Sequence, residues 1–514
     1  MKRTPRSTAL LAGAAAACLV LTGCAGSGVG RSASAGTDSL RIATLTAAQS
    51  LDPAAAVGSA LPYFQAVYDT LLRRAPDGTY HPMLATRWSW SSDRTRLALT
   101  LREGVEFADG TPFDGAAVKA NMTRFKKGGG ASAKTLAVLE DVEVRDAHHV
   151  TLRLTNPDPA MLFYLSDAAG LMASPAKFTG DSLKTTPDGT GPYTLDKSRT
   201  ALGTKYVYTR KKDYWGEEPP YRTLSMSVFD NETAVVNGLK TGQIDSALLQ
   251  DADQQAAIEA DPRLTTRKQS IDFQGLLLFD RAGARTPALR EAKVRQALNY
   301  AIDRDTMLDK IRLGRGETTD QVFGPGTRGY DKKLDHAYPH DPAKARKLLA
   351  EAGYPKGFTL KLPRLTAIVG DALAASLQSD FKAVGVRLDW ESLDQASAVQ
   401  KIYTDRAYSA MVMNIGQPAT DWITVQDLVA PGAFNLFGST DATVKRLVPE
   451  IQRSTGAEAT TAARRLNQHL VDQAWFVPFY RMSYLLVTAD GVKAEPQSGM
   501  AVPSIYNYRP SRTA

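Results

Sequence analysis

Residues 82–113 read PMLATRWSWSSDRTRLALTLREGVEFADGTPF, in which apolar and polar residues alternate on both sides of a short polar segment. Trp88 and Trp90 would lie on one face of a first strand, and leucines recur at every second position from Leu97 to Leu101. The SSDR segment at 91–94 has the composition of a turn. Because a period of two is typical of strands, this stretch predicts a β-hairpin.

Other local patterns extend outward from this hairpin. Asp114 stands where the N-cap of a following helix would stand, and Ser39–Leu45 alternates like a strand with one buried face. Apolar residues at three- and four-residue steps predict a helix over 63–72 and an amphipathic helix over 294–311. The roughly 475 residues after the first 39 are too many for one hydrophobic core, so two or more lobes are expected.

Several stretches in one order carry a family resemblance. After 82–113 come GTGPY at 189–193, RKKDYWG at 210–216, LKTGQID at 239–245, VRQALNYAIDR at 294–304 and DPAKARKLLAEAGYP at 341–355. Together they resemble the peptide/nickel family of ABC solute-binding proteins. The collinear order over most of the chain makes the resemblance far more specific than any single motif.

This resemblance implies an α/β protein with a two-lobed periplasmic-binding-protein type II-like fold, an extra small α/β subdomain and a ligand cleft between the lobes. The implied division places lobe I at 40–75, 189–285 and 487–514, the subdomain at 76–188, and lobe II at 286–486. The implied function is an extracytoplasmic receptor that captures an oligopeptide-like ligand and delivers it to ABC permease subunits, as a monomer.

The N-terminus has the pattern of a bacterial lipoprotein leader. Lys2, Arg3 and Arg6 precede an apolar run over 9–21, which is shorter than the roughly 20 residues that a spanning helix needs. Residues 1–23 are therefore predicted to be a signal peptide, and Cys24 is predicted to be lipidated. Residues 24–39, rich in glycine, serine and alanine, are predicted to be a flexible tether on the outer face of the cytoplasmic membrane.

The segment AMVMNIGQPATDWITVQDL at 410–428 is the region most tied to ligand choice in this resemblance. Asp421 and Trp422 match part of the segment of the peptide binders, but Thr424 stands where their ammonium-binding aspartate would be. Asp421 is either a ligand residue or a helix cap. Trp422 either stacks on the ligand or packs in the core. Asp427 is a second carboxylate that could reach the ligand. The predicted ligand-binding residues are Thr46, Ala47, Asn414, Gly416, Asp421, Trp422 and Thr424.

The departure at Thr424 leaves the ligand open. A peptide with a free N-terminus, a blocked peptide, an oligosaccharide and a metal chelate all stay candidates, as does a sensor that presents a peptide signal without import. The two cysteines are Cys18 in the leader and Cys24, so no cysteine nucleophile or disulfide is expected in the exported body.

Other function classes find no support in the sequence. The net charge of +8 is scattered along the chain, so nucleic-acid binding is not predicted. GTGPY at 189–193 lacks the Lys-Ser/Thr of a phosphate-binding loop and predicts a structural turn. Because Pro339 separates His336 from His340, no helical metal pair is expected there, and neither a metal, a cofactor nor an enzymatic activity is predicted.

Overall fold

The computed structural model describes residues 38–418, 420–497, 500 and 502–511. The predicted signal peptide, the lipidated Cys24 and nearly all of the tether lie outside the described residues. Within the described part, no helix combines the length and apolar character needed to cross a membrane.

The described chain forms nineteen strands. In chain order they are β1 (Ser39–Thr44), β2 (Leu72–Arg74), β3 (Tyr80–Pro82), β4 (Ala85–Trp90), β5 (Arg96–Leu101), β6 (Leu139–Asp146), β7 (His149–Leu154), β8 (Tyr193–Leu195), β9 (Lys205–Arg210), β10 (Thr223–Val228), β11 (Ser246–Leu249), β12 (Leu264–Leu278), β13 (Gly316–Thr318), β14 (Phe358–Arg364), β15 (Val386–Ser392), β16 (Ala410–Gly416), β17 (Phe476–Ala489), β18 (Val492–Ala494) and β19 (Tyr508–Pro510).

Thirteen α-helices alternate with these strands in the described residues. They are α1 (Leu61–Gln65), α2 (Gly115–Lys127), α3 (Met161–Leu165), α4 (Glu232–Thr241), α5 (Ala252–Glu259), α6 (Ala292–Ala301), α7 (Arg304–Arg312), α8 (Pro342–Glu351), α9 (Asp371–Ala383), α10 (Gln395–Val399), α11 (Asp421–Thr424), α12 (Ala442–Arg453) and α13 (Gly456–Asp472).

A nine-stranded sheet joins the two halves of the molecule in the order β16-β12-β17-β11-β1-β10-β9-β8, with β13 added on β17. The first half of β12 pairs with the end of β17, beside β11, and the second half lies between β17 and β16. We call β12 and β17 the crossing strands, because each runs from lobe I, around β1 and β8–β11, into lobe II, around β14–β16. Their pairing shifts register between Ser270 and Asp272, which is the mark of a β-bulge.

The hairpin prediction is confirmed. β4 and β5 form a four-stranded antiparallel sheet with β7 and β6, and the Asp114 carboxylate caps α2 by accepting a hydrogen bond of 2.8 Å from the Ala117 amide. The leucines of β5 are buried, whereas the residues between them face outward or are partly covered. This sheet and α2 form the subdomain body.

Two helix predictions were wrong in extent. The helix predicted over 63–72 is only α1, which ends at Gln65. The prediction was wrong because every residue from Leu61 to Leu72 is buried, so the spacing of apolar residues there does not define one face of a helix. The helix predicted over 294–311 is divided into α6 and α7, since Asp303 caps a new helix by accepting from the Thr306 amide at 3.0 Å.

Lobe II has its own hydrophobic core. The parallel pair β14–β15 and the helices α6, α8 and α9 bury their apolar faces against the second half of the crossing strands. A separate cluster fills lobe I and the subdomain and continues into α11–α13. The cleft therefore lies between two halves that share the crossing strands and, through α11–α13, part of one hydrophobic cluster.

Glycines at 189 and 191 allow two backbone segments to approach closely. The amides of Gly191 and Tyr193 donate to the carbonyls of Val67 and Ala66, both at 2.8 Å. A Cβ atom on Gly191 would lie 2.4 Å from the Val67 carbonyl carbon. GTGPY is thus a close-packed backbone contact, which agrees with its prediction as a structural turn.

Gly191→Ala should destabilise the protein by about 3 kcal/mol, because the added methyl meets backbone that cannot move independently. Urea unfolding of the exported body measures this change. Gly370→Ala is the matched control, since Gly370 has a φ of −67° and open space around its Cβ position, and because it is the N-cap of α9 it should lose no more than about 1 kcal/mol. Equal stabilities for the two variants would contradict the close-contact interpretation.

Candidate functional site

A cavity of about 840 Å³ lies between the two lobes. Its walls come from four parts of the chain: lobe I, the subdomain, the crossing strands and the segment that follows β16. The polar residues in these walls are Ser59, Ser132, Lys134, Thr135, Tyr164, Asp167, Gln250, Asp272, Gln417, Gln426, Asp427 and Tyr484. Because its size is within the usual range of small-molecule pockets, this cavity is the candidate ligand site.

Two smaller spaces adjoin this central cavity. Ser59 and Gln250 also line a cavity of about 320 Å³ on the lobe I side. Gln417 and Pro418 also line a cavity of about 730 Å³ on the lobe II side. The three cavities therefore form a row across the interface between the lobes.

Hydrogen bonds join the lobes around the central cavity. The Tyr164 hydroxyl donates to Gln426 Oε1 at 2.8 Å, and Lys134 Nζ lies 3.2 Å from Asp427 Oδ1. Gln426 and Asp427 belong to a π-helical turn, Val425–Val429, that continues α11. Irregular turns of this kind often occur at functional sites, and here one presents two polar side chains to the opposite lobe.

Asp158 lies buried at the same interface. Its carboxylate accepts a hydrogen bond of 2.8 Å from the Ala160 amide. Burial raises the pKa of Asp158 to about 6, and this effect outweighs the hydrogen bonds from Ala160 and Gln426, which lower the pKa. Contact with lobe II thus creates an environment in which the neutral form of this carboxyl is favoured.

Three of the predicted site residues line the row of cavities. Gly416 lines the central cavity, and Thr46 and Ala47 line the smaller cavity in lobe I. The Thr46 carbonyl already accepts from the Tyr63 hydroxyl at 3.0 Å and from Thr44 Oγ1 at 3.1 Å. Its backbone is therefore partly occupied by contacts within lobe I.

The other four predicted residues are directed elsewhere. Asp421 is buried and accepts from the Gly329 amide at 2.7 Å and from Arg328 Nε at 3.1 Å, and the helix cap is Thr420. Thr424 is fully buried, and Trp422 is 7% exposed and part of the hydrophobic cluster. Asn414 accepts from Gln274 Nε2 at 2.7 Å. A direct ligand role for these four residues stays a prediction.

Several cavity residues escaped the sequence prediction. Asp272 and Gln417 are two of them, and Tyr164 and Asp167 come from the subdomain, which had been given no binding role. A carboxylate within the mainly apolar second half of β12 was the available signal for Asp272. Nothing local marked Tyr164, because its place in the wall depends on how the subdomain packs against lobe II.

Histidines do not gather in this site. His336 lines the cavity of about 730 Å³, and His340 Nδ1 lies 3.5 Å from Asp303 Oδ2. Among the described residues, no group of three or more histidine, cysteine or acidic side chains is arranged to hold a metal ion.

The raised pKa of Asp158 predicts a pH-dependent contribution to stability. A carboxyl whose folded pKa is about 6 instead of 3.8 favours the folded state below pH 4 and loses that contribution as the pH rises through 6. Asp158→Asn should therefore be more stable relative to the natural protein at pH 7.5 than at pH 4.5, by about 2 kcal/mol. Urea unfolding at the two pH values measures this difference. The exposed Asp389→Asn serves as control and should show no such change, and a constant difference for Asp158→Asn would refute the assignment.

Known proteins share this architecture. The profile of the bacterial extracellular solute-binding proteins, family 5 (middle part), matches residues 79–430. The nickel-binding periplasmic protein of Escherichia coli is 28% identical over 62% of this chain and 64% of its own length. The glutathione-binding protein of Pectobacterium atrosepticum is 31% identical over 62% of both chains. The chain thus spans less than two thirds of each of these two relatives.

A solved structure supports the same fold. HbpA2 from Haemophilus parasuis superposes with a TM-score of 0.80 at 20% identity, covering 92% of this chain and all of that chain. The family profile covers more than half of the sequence and includes the hairpin, the glycine-rich turn and the segment after β16. The chain therefore belongs to family 5 of the bacterial extracellular solute-binding proteins.

Proposed function

We propose that this protein is a receptor that captures an oligopeptide-like solute between its lobes and delivers it to the permease of an ABC importer, without enzymatic conversion. The cavity of about 840 Å³ carries this proposal, because both lobes and the crossing strands form its walls. A solute there contacts both lobes at once. Such contacts favour the arrangement in which the lobes touch, which is the form that a permease can distinguish from the empty receptor.

The row of three cavities supports an extended solute. The spaces of about 320 and 730 Å³ adjoin the central one at opposite sides. An extended molecule of several residues fits such a row better than a compact one does. The nickel-binding and glutathione-binding relatives bear names of different ligands, so membership of the family alone does not identify the solute.

Anchoring through Cys24 belongs to the same proposal. Two or three acyl chains on the mature N-terminus would hold the receptor on the outer face of the cytoplasmic membrane. A single acyl chain would bind the membrane only weakly. The tether predicted over 24–39 would let the folded body reach the permease.

The solute can be identified from protein that begins at residue 25. Native mass spectrometry should detect a small organic molecule that co-purifies, and thermal unfolding with tri- to pentapeptides should show a higher melting temperature, since a ligand that binds only the folded state stabilises it. Gln426→Ala should weaken binding about fivefold, because it removes the hydrogen bond from Tyr164 across the cleft. Gln468→Ala, on the outer face of α13, should bind like the natural protein. A rise with saccharides and none with peptides would refute the peptide-like assignment.

Cys24→Ser should release the protein from the membrane fraction. The thiol is the proposed acylation site, so its loss leaves no attachment point, while the folded body keeps its melting temperature. Detergent partitioning and the mass of the N-terminal peptide measure the change. Retention of the variant in the membrane fraction would show that another element anchors the protein.

A further inference from the structure

We propose that Asp272 selects the ligand of the central cavity by binding an organic cation, an ammonium or a guanidinium group. This inference rests on the receptor function proposed above and specifies the chemistry of the solute.

The β-bulge of the crossing strands places Asp272 in the cavity wall. Register shifts between Ser270 and Asp272, and a bulge of this kind redirects the side chains next to it. The Tyr484 hydroxyl donates to Asp272 Oδ2 at 2.7 Å and fixes the carboxylate. Gly416 is the residue paired with Asp272 on β16, and its lack of a side chain leaves Oδ1 uncovered.

The charges of the cavity leave Asp272 without a cation. Three carboxylates line the central cavity, and Asp427 is paired with Lys134. Asp167 accepts from the Ala168 amide at 2.6 Å and is stabilised by the positive charge of the nearby Arg74. Asp272 forms no ion pair with any described lysine or arginine. Burial raises the pKa of Asp272, and the Tyr484 hydrogen bond is what opposes this effect. A carboxylate removed from water in this way is stabilised when a cation joins it.

Gln417 supplies the independent observation. Its side chain is 7% exposed, and neither Oε1 nor Nε2 has a hydrogen-bond partner among the described residues. Gln417 lines the central cavity and the cavity of about 730 Å³. Its backbone amide donates to the carbonyl of Ile271 at 2.6 Å, and Ile271 precedes Asp272 in the chain. A buried carboxamide without partners is costly to keep, and a ligand group that accepts and donates would complete it.

Together these residues define a class of solute. It carries a cation for Asp272 and a neutral group, such as an amide, that can exchange hydrogen bonds with Gln417. A peptide with a free N-terminus has this chemistry, and so has a non-peptide amine that bears an amide. Asp272 would then provide the negative charge that Thr424 lacks in the family's usual position.

The test measures which solutes the protein retains from a defined equimolar mixture of trialanine, N-acetyl-trialanine, glycinamide and N-acetyl-glycinamide. Retained molecules are quantified by mass spectrometry after rapid gel filtration. The natural protein, from residue 25 onward, should retain at least one free amine about tenfold more than its acetylated partner, because charge-assisted hydrogen bonds to a half-buried carboxylate are strong. Preference for trialanine indicates peptide recognition, and equal retention of glycinamide indicates recognition of the amine alone.

Variants separate the carboxylate from the fold. Asp272→Asn keeps an acceptor for Tyr484 and should reduce the preference to within twofold, while the melting temperature of the empty protein stays equal or rises. Gly416→Val should reduce the preference for the free amine in the same way, since the valine side chain would cover Asp272 Oδ1, which lies 3.6 Å from the Cβ position. Asp389→Asn makes the same charge change at an exposed residue of β15, and this variant should keep the preference for the free amines.

Two results would overturn the inference: equal retention of free and acetylated members by the natural protein, or an unchanged preference in Asp272→Asn. Retention of an acetylated member alone would reject the role of Asp272 but keep the receptor function. Retention of no member, with no molecule co-purifying from the host, would instead count against the receptor function itself.

Discussion

The antiparallel pairing of β12 with β17 is the constraint on which the rest of this molecule depends. The two strands extend through both lobes, and all residues of β17 except the last are buried. One hydrophobic cluster packs on the second half of this pair in lobe II, and another continues from lobe I and the subdomain into α11–α13, so both cores rest on the same two strands. Two register shifts near the middle of the pair, between Ser270 and Asp272 and between Gln274 and Gly275, interrupt the regular ladder.

The binding region combines this rigid support with irregular backbone. The bulge beside Asp272 and the π-helical turn at Val425–Val429 face the same cavity from different elements. Both features direct polar side chains away from regular positions, where they would have packed in a core or faced solvent. Function in this fold thus depends on local departures from strand and helix geometry, held in place by ordinary packing around them.

Local sequence was sufficient for the hairpin and the α2 cap, because each depends on neighbours close in the chain; the glycine-rich turn was predicted from its residues, but its partners Ala66 and Val67 are distant in the chain. The prediction of a helix over 63–72 was wrong because a wholly buried segment has no polar face, so its apolar residues do not show a helical period. Site prediction found Gly416, Thr46 and Ala47 in the walls, but the walls also contain Tyr164 and Asp272. Tyr164 reaches the cavity through the packing of the subdomain, and Asp272 reaches it through a β-bulge. Residue spacing in the sequence predicts neither of these features.

Gln417 and Pro418 form a wall shared by the central cavity and the cavity of about 730 Å³, and this shared wall has a consequence for ligand length. The cavity beyond it is polar, with Glu317, Lys332 and Asp335 in its lining, and polar spaces of this size hold water. A solute that ends in the central cavity leaves that water in place, and a longer one exchanges it for contacts of similar strength. For the receptor function proposed above, affinity should then change little when a solute extends beyond its head group.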